Sequence, residues 1–225
     1  MRTFLIILAA SAALAGCSDR DNGDEHADTS GAAHHDSASD STAMMHTQMD
    51  GDMMERMGQM NAMMVSMLGA ADSTYEQRFI DLMIPHHMGA VHMAEDALQK
   101  ATHPELKQFA QSVIDAQQKE IALMKSWRQQ WYSDSTIVDM GAGASMDMHG
   151  MDQQMLSHLG AADSTYDQRF IDMMIPHHEG AVMMAQDAES KSTRKELRDF
   201  STRIIADQNR EIAQLRGWRS QWYGR

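Results

Sequence analysis

An all-α fold, a four-helix bundle closed by two copies of one helical hairpin, is predicted by three features of this 225-residue chain. The segment Asp72-Ser-Thr-Tyr-Glu-Gln-Arg-Phe-Ile-Asp returns as Asp163-Ser-Thr-Tyr-Asp-Gln-Arg-Phe-Ile-Asp, and this offset of 91 residues holds without a gap to the C-terminus. Apolar residues within each copy recur every three or four positions, the period of a helix that buries one face. Each copy holds two such stretches, and a single hairpin cannot cover its own apolar face, so two must pack together.

The first element, residues 1–17, reads as an export signal: Arg2, an apolar run from Phe4 to Ala15, then Leu14-Ala15-Gly16-Cys17. The run is too short for a membrane span. Leu-Ala-Gly-Cys resembles the bacterial lipobox, which implies that Cys17 becomes the lipidated first residue of a periplasmic, membrane-anchored protein. Ser18 resembles the signal that directs such proteins to the outer membrane in a Gram-negative cell. Cys17 is the sole cysteine, so an intramolecular disulfide and thiolate metal ligation in the folded part are both ruled out.

Residues 18–66 are rich in Asp, Ser, Gly, His and Met and poor in branched aliphatics, a composition that predicts a largely disordered tail. The later methionines, from Met44 to Met67, have partial helical spacing and allow a helix against a partner or a metal.

The first hairpin is expected over residues 67–132. Phe79, Met83, His86, Ala90, Met93 and Ala97 mark the buried face of its first helix, and Ser73 with Glu76 has capping-box spacing. The second helix runs from about Pro104 to Tyr132, opened by Thr102-x-x-Glu105, with Leu106, Phe109, Val113, Ile121, Met124, Trp127 and Trp131 as its stripe. A polar Gly, Ser, Asp, Met and His linker over 133–157 leads to the second hairpin, 158–225. Likeness of the halves predicts twofold-like packing with equivalent helices facing each other.

Two costs recur at the same place in both copies. Pro85 and Pro176 interrupt helical patterns at about 3 kcal/mol each, and Gly89 and Gly180 add about 1 kcal/mol each. Immediately beside them stand His86-His87 and His177-His178. Met83 lies three and four residues before the first pair, and Met174 occupies the same position before the second, so each helix offers thioether and imidazole on neighbouring turns. Glu120 and Glu211 fall on the apolar stripes of the second helices, where a carboxylate needs a partner. His86 and His177 are the expected partners, with each Glu either orienting an imidazole or ligating a metal itself. Met88, His92 and Asp96 form a further row, confined to the first copy, that reads as a solvated face.

The chain carries 24 methionines and 12 histidines, and its net charge of −13 argues against a nucleic-acid surface and for cations. Thioether with imidazole and no cysteine favours copper, Cu(I) above all with Cu(II) acceptable to the histidines. Zinc gains nothing from methionine, and the Glu-x-x-His pairs of di-iron bundles are missing here.

The pattern Phe79-x-x-x-Met83-x-x-His86-His87-x-Gly89-Ala90, followed by Gln117-x-x-Glu120-Ile121 and Trp127, and its duplicate from Phe170 to Trp218, resembles the bacterial DUF305 family. The resemblance implies an exported, ferritin-like helical protein with copper bound in some members through the positions of Met83, His86, His87, Met174, His177 and His178. Three readings follow: a non-enzymatic, lipid-anchored copper binder that buffers copper or passes it to copper-handling envelope proteins; a ferritin-like metal-dependent oxidase using Glu120, Glu211, His86 and His177; and an envelope stress scaffold with structural histidines.

Overall fold

The computed structural model describes residues 37–133 and 148–224. Six helices lie in these residues: α1 (Ser37–Leu68), α2 (Tyr75–Lys100), α3 (Pro104–Tyr132), α4 (Met148–Leu159), α5 (Tyr166–Lys191) and α6 (Lys195–Tyr223). The fold is all-α, built from two repeated hairpins, α2 with α3 and α5 with α6. The export signal expected over residues 1–17, with Cys17, lies outside the described residues. None of the described helices is long and apolar enough to cross a membrane.

Within each hairpin the two helices pack along their length, and α2 and α5 meet at the centre. Two reciprocal hydrogen bonds fix these central helices as antiparallel. Tyr75 Oη, at the start of α2, donates to Asp187 Oδ2 near the end of α5 at 2.7 Å, and Tyr166 Oη donates to Asp96 Oδ2 at 2.8 Å. Expected likeness of the halves is thus realised as an approximate twofold relation. The apolar core divides into two clusters at opposite ends. Phe79, Leu82 and Met83 pack with Ala181, Met184, Phe200 and Ile204 at one end. At the other, Met93, Ala97, Leu106 and Phe109 pack with Phe170, Met174 and Leu215.

The polar motif that opens each repeat proves to be a clasp. Arg78 Nε donates to Leu68 O at 2.7 Å and Nη2 to Ala70 O at 2.7 Å, satisfying carbonyls at the end of α1, while Nη1 pairs with Asp72 Oδ1 at 2.9 Å. Arg169 makes the same bonds to Leu159, Ala161 and Asp163. Gly69 and Gly160 follow the two helices at φ of +67° and +65°, the left-handed turn that side chains disfavour. Guanidinium and Thr hydrogen bonds hold the Asp72 and Asp163 carboxyls down at about 2.

Three sequence expectations need correction. The tail expected over 18–66 is helical from Ser37 onward, and the proposed boundary at 66/67 falls inside α1. Methionine substitutes for the missing aliphatics there: Met57 and Met64 are 3% and 0% exposed, and α1 lies chiefly on α5. The linker expected over 133–157 contains most of α4, whose Met155 and Leu159 are buried as α4 packs on α2. Each leading helix therefore covers the central helix of the other repeat.

The capping box expected from Ser73 and Glu76 does not form. Glu76 instead reaches across to the start of α6, accepting from Thr193 N and Oγ1 at 2.8 Å each and from Arg194 N at 3.3 Å. Asp167 does the same at the start of α3, accepting from Thr102 N at 2.9 Å and His103 N at 2.8 Å. Burial alone would raise both carboxyls, but these hydrogen bonds outweigh it and hold them below the ordinary range. For Glu76 the sequence spacing marked the right residue as a cap and the wrong helix as its client.

Candidate metal centre

Between the two apolar clusters lies a layer of imidazoles. His86 and His177 project from α2 and α5 toward one another, with ring centroids 4.0 Å apart. His87 and His178 stand further out, 6.3 and 6.4 Å from their sequence neighbours. His86 and His177 are each 2% exposed, and His87 and His178 are 0%. Helical geometry explains the division, because consecutive residues point about 100° apart: one of each pair faces the opposite repeat and the other faces its own hairpin.

That division corrects the expected pairing of the carboxylates. Glu120 accepts from His87 Nε2 at 2.9 Å, and Glu211 lies 2.8 Å from His178 Nε2. The second contact is short but poorly directed, since the same nitrogen fails hydrogen-bond geometry. The partners are therefore His87 and His178 rather than His86 and His177, because α3 and α6 lie along the flanks of α2 and α5. Both carboxylates are partly exposed, 21% and 23% at the side chain, so water moderates the cost of their charge. An Nε2–H held by carboxylate leaves Nδ1 as the ring's lone-pair nitrogen.

The inner pair has no such support. Neither ring nitrogen of His86 has a partner, and Nδ1 is unpartnered in His87, His177 and His178. Burial, followed by the nearby imidazoles, pushes His86 and His177 well below the ordinary histidine range. The inner rings are consequently neutral. Unsatisfied buried nitrogens cost about 1 to 3 kcal/mol each unless the N–H finds an acceptor and the lone pair a donor or a metal ion. A soft or borderline metal ion fits that need, and the donor set has no thiolate to compete for it.

Met83 and Met174 are both fully buried, one turn before the histidines, each in a different apolar cluster. Among the described residues no three His, Cys, Asp or Glu side chains converge as a ready metal cluster. The donors form two related halves rather than one closed cage.

Glycine makes the layer compact. A methyl group at Gly180 would lie 3.1 Å from His86 Nε2 and against Asn61 Oδ1, and one at Gly89 would lie 3.2 Å from His177 Nε2 and 2.7 Å from Asp152 Oδ1. Each glycine thus admits a histidine and a leading-helix polar residue from the opposite repeat. The row Met88, His92 and Asp96 is not simply solvated either. His92 Nδ1 bonds Asp152 Oδ2 at 2.9 Å and Asp96 serves Tyr166, while Met88 is exposed.

A family model described as a domain of unknown function, DUF305, matches residues 14–128 and again 76–219. The chain belongs to the DUF305 family. Solved structures of CopM in its Cu(II)-bound and Cu(I)-bound forms are 42% and 40% identical to it, with TM-scores of 0.55 and 0.53; each alignment covers 66% of this chain and 97% of CopM. A DUF305 fragment from Deinococcus radiodurans shares the fold at 22% identity and a TM-score of 0.54, over 66% of this chain and 96% of the fragment. No curated protein sequence matches.

Asn61 and Asp152 escaped the sequence reading as site residues. They occupy equivalent places at the same 91-residue offset, as do Met64 and Met155 and Leu68 and Leu159, so the repeat extends back into the leading helices. Gln117 and Gln208, one turn before the glutamates, are also buried, with Oε1 unpartnered.

Proposed function

We propose that this DUF305 protein is a non-enzymatic copper binder of the cell envelope, exported and anchored through Cys17, that takes copper into the histidine layer to buffer it or hand it on. The observation that carries the reading is the buried, neutral His86–His177 pair, in which both ring nitrogens of His86 and Nδ1 of His177 lack a partner. Copper-bound CopM, at about 40% identity, supports the choice of metal. Copper here is cargo. His86 and His177 would supply the inner donors, His87 and His178 the outer ones, and Met83 and Met174 thioether for Cu(I). Glu120 would orient the His87 ring, and Glu211 would stand beside His178 as a nearby counter-charge. Residues 1–17 would supply the route to the periplasmic face of the membrane, with copper-handling proteins there as partners.

Elemental analysis of protein produced in copper-replete medium tests this. Wild type is expected to retain copper, and a variant with all four paired histidines replaced by Gln is expected to lose it. Equal copper in both, or none in either, would refute the assignment.

A further inference from the structure

The histidine layer is sealed, with His86 and His177 each 2% exposed, so an ion must reach it by passing between helices. A groove leads inward on the Gly89 side. It lies between α1 and α4, measures about 320 Å3, and is lined by five methionines: Met53, Met57, Met60 and Met63 of α1 and Met155 of α4. Met63 is 42% exposed at its mouth, while Met57 and Met155 are 3% and 6% exposed at depth. Met155 is the link to the layer. Its methyl carbon lies 3.1 Å from the point where a side chain at Gly89 would begin, and His177 Nε2 lies 3.2 Å from the same point. Thioethers thus stand at the mouth of the groove, in its wall and beside the imidazole.

The lining favours a soft ion. Arg56, Gln59 and Gln154 complete it, so among the described residues this groove holds no carboxylate, in a chain whose net charge is −13. A hard or doubly charged cation finds no anionic donor there, whereas neutral thioether binds a monovalent soft ion. Core packing explains Met57 and Met155, but it leaves Met63 exposed and Met53 and Met60 only half-buried. The second repeat does not copy the arrangement: Ala144 stands at the place of Met53 and Gln154 at that of Met63. Around Gly180 the three atoms nearest an added side chain are two of Asn61 and His86 Nε2, with no thioether among them.

We infer that the groove between α1 and α4 is the port by which a monovalent soft metal ion enters the histidine layer, captured by the thioethers of Met53, Met60 and Met63 and passed by Met57 and Met155 to His177. A port must bind well enough to admit the ion and weakly enough to release it inward. Neutral, flexible thioethers meet both demands, and imidazole at the inner end is the stronger donor. The inference rests on the copper reading and deepens it, by giving the buried histidines a route of loading.

Ag(I), soft and monovalent, is the probe, followed in the full chain by nuclear magnetic resonance of methyl-labelled methionine. Substoichiometric Ag(I) is expected to shift the Met53, Met60, Met63 and Met155 methyl signals together with the histidine ring signals, a measurement that needs no variant. In Met53→Leu/Met60→Leu/Met63→Leu, which keeps the apolar volume, filling of the histidine layer is expected to slow by about tenfold or more. Met183→Leu, which removes an exposed thioether that does not line the groove, should load at the wild-type rate. Because the groove holds an ion too weakly to compete with a chelator, replacing the four paired histidines still abolishes copper retention. Histidine signals that shift while the groove methyls stay unmoved, or wild-type loading by the triple variant, overturn the inference and leave the copper reading intact. Histidine signals that shift with neither Ag(I) nor Cu(I) overturn both.

Discussion

His86 and His177 face each other across the two repeats with ring centroids 4.0 Å apart, each almost sealed from water. Burial above all, with the neighbouring imidazoles, holds both neutral in the folded protein, while the same side chains in the unfolded chain protonate around pH 6.5. Below that pH the unfolded state binds up to two protons that the folded state refuses, so stability falls as pH falls from about 6.5. The metal-free protein should therefore show a urea midpoint that drops between pH 7 and pH 5. In His86→Leu/His177→Leu the same interval should be nearly flat, since the carboxyls held low by hydrogen bonds lose their contribution only at more acidic pH. A wild-type midpoint independent of pH above 5 would contradict the burial of neutral rings.

Four helical glycines should separate into two classes. Gly180→Ala and Gly89→Ala place a methyl group against Asn61 and His86, or against Asp152 and His177, and should destabilise by about 1 to 3 kcal/mol despite the better helix propensity of alanine. Gly58→Ala and Gly217→Ala meet nothing within 4 Å and should stabilise by up to about 1 kcal/mol. Thermal unfolding of the four metal-free variants decides it, and a similar gain in all four would mean that the layer is looser than described.

Capping across the repeats gives a third expectation. Glu76→Ala removes the acceptor for Thr193 N and Arg194 N and should cost about 2 kcal/mol. Ser73→Ala should cost little, because the N-cap of α2 is Thr74 and makes no side-chain capping bond. Chemical denaturation of both variants distinguishes this arrangement from the local capping box, which predicts comparable losses.

Periodicity and the 91-residue repeat located α2, α3, α5 and α6 and placed Met83, His86, His87, Glu120 and their duplicates in or beside the interior. What they could not supply was the identity of neighbours. A helical wheel puts His86 and His87 on adjacent sectors, but only the packing of α3 on the outer flank of α2 gives Glu120 to His87. Glu76 illustrates the same limit, since local spacing cannot reveal an acceptor needed by a helix 117 positions further on. The leading helices were hidden for a compositional reason: Met57, Met64 and Met155 do the work usually assigned to Leu and Ile.

The central claim is that copper binds through the paired histidines of the bundle, and an anaerobic Cu(I) titration against a competing chelator tests it most directly. Wild type should withdraw Cu(I) from the chelator, and replacing His86, His87, His177 and His178 by Gln should abolish that competition while the helical circular dichroism persists. Undiminished competition by the folded four-histidine variant would contradict the account.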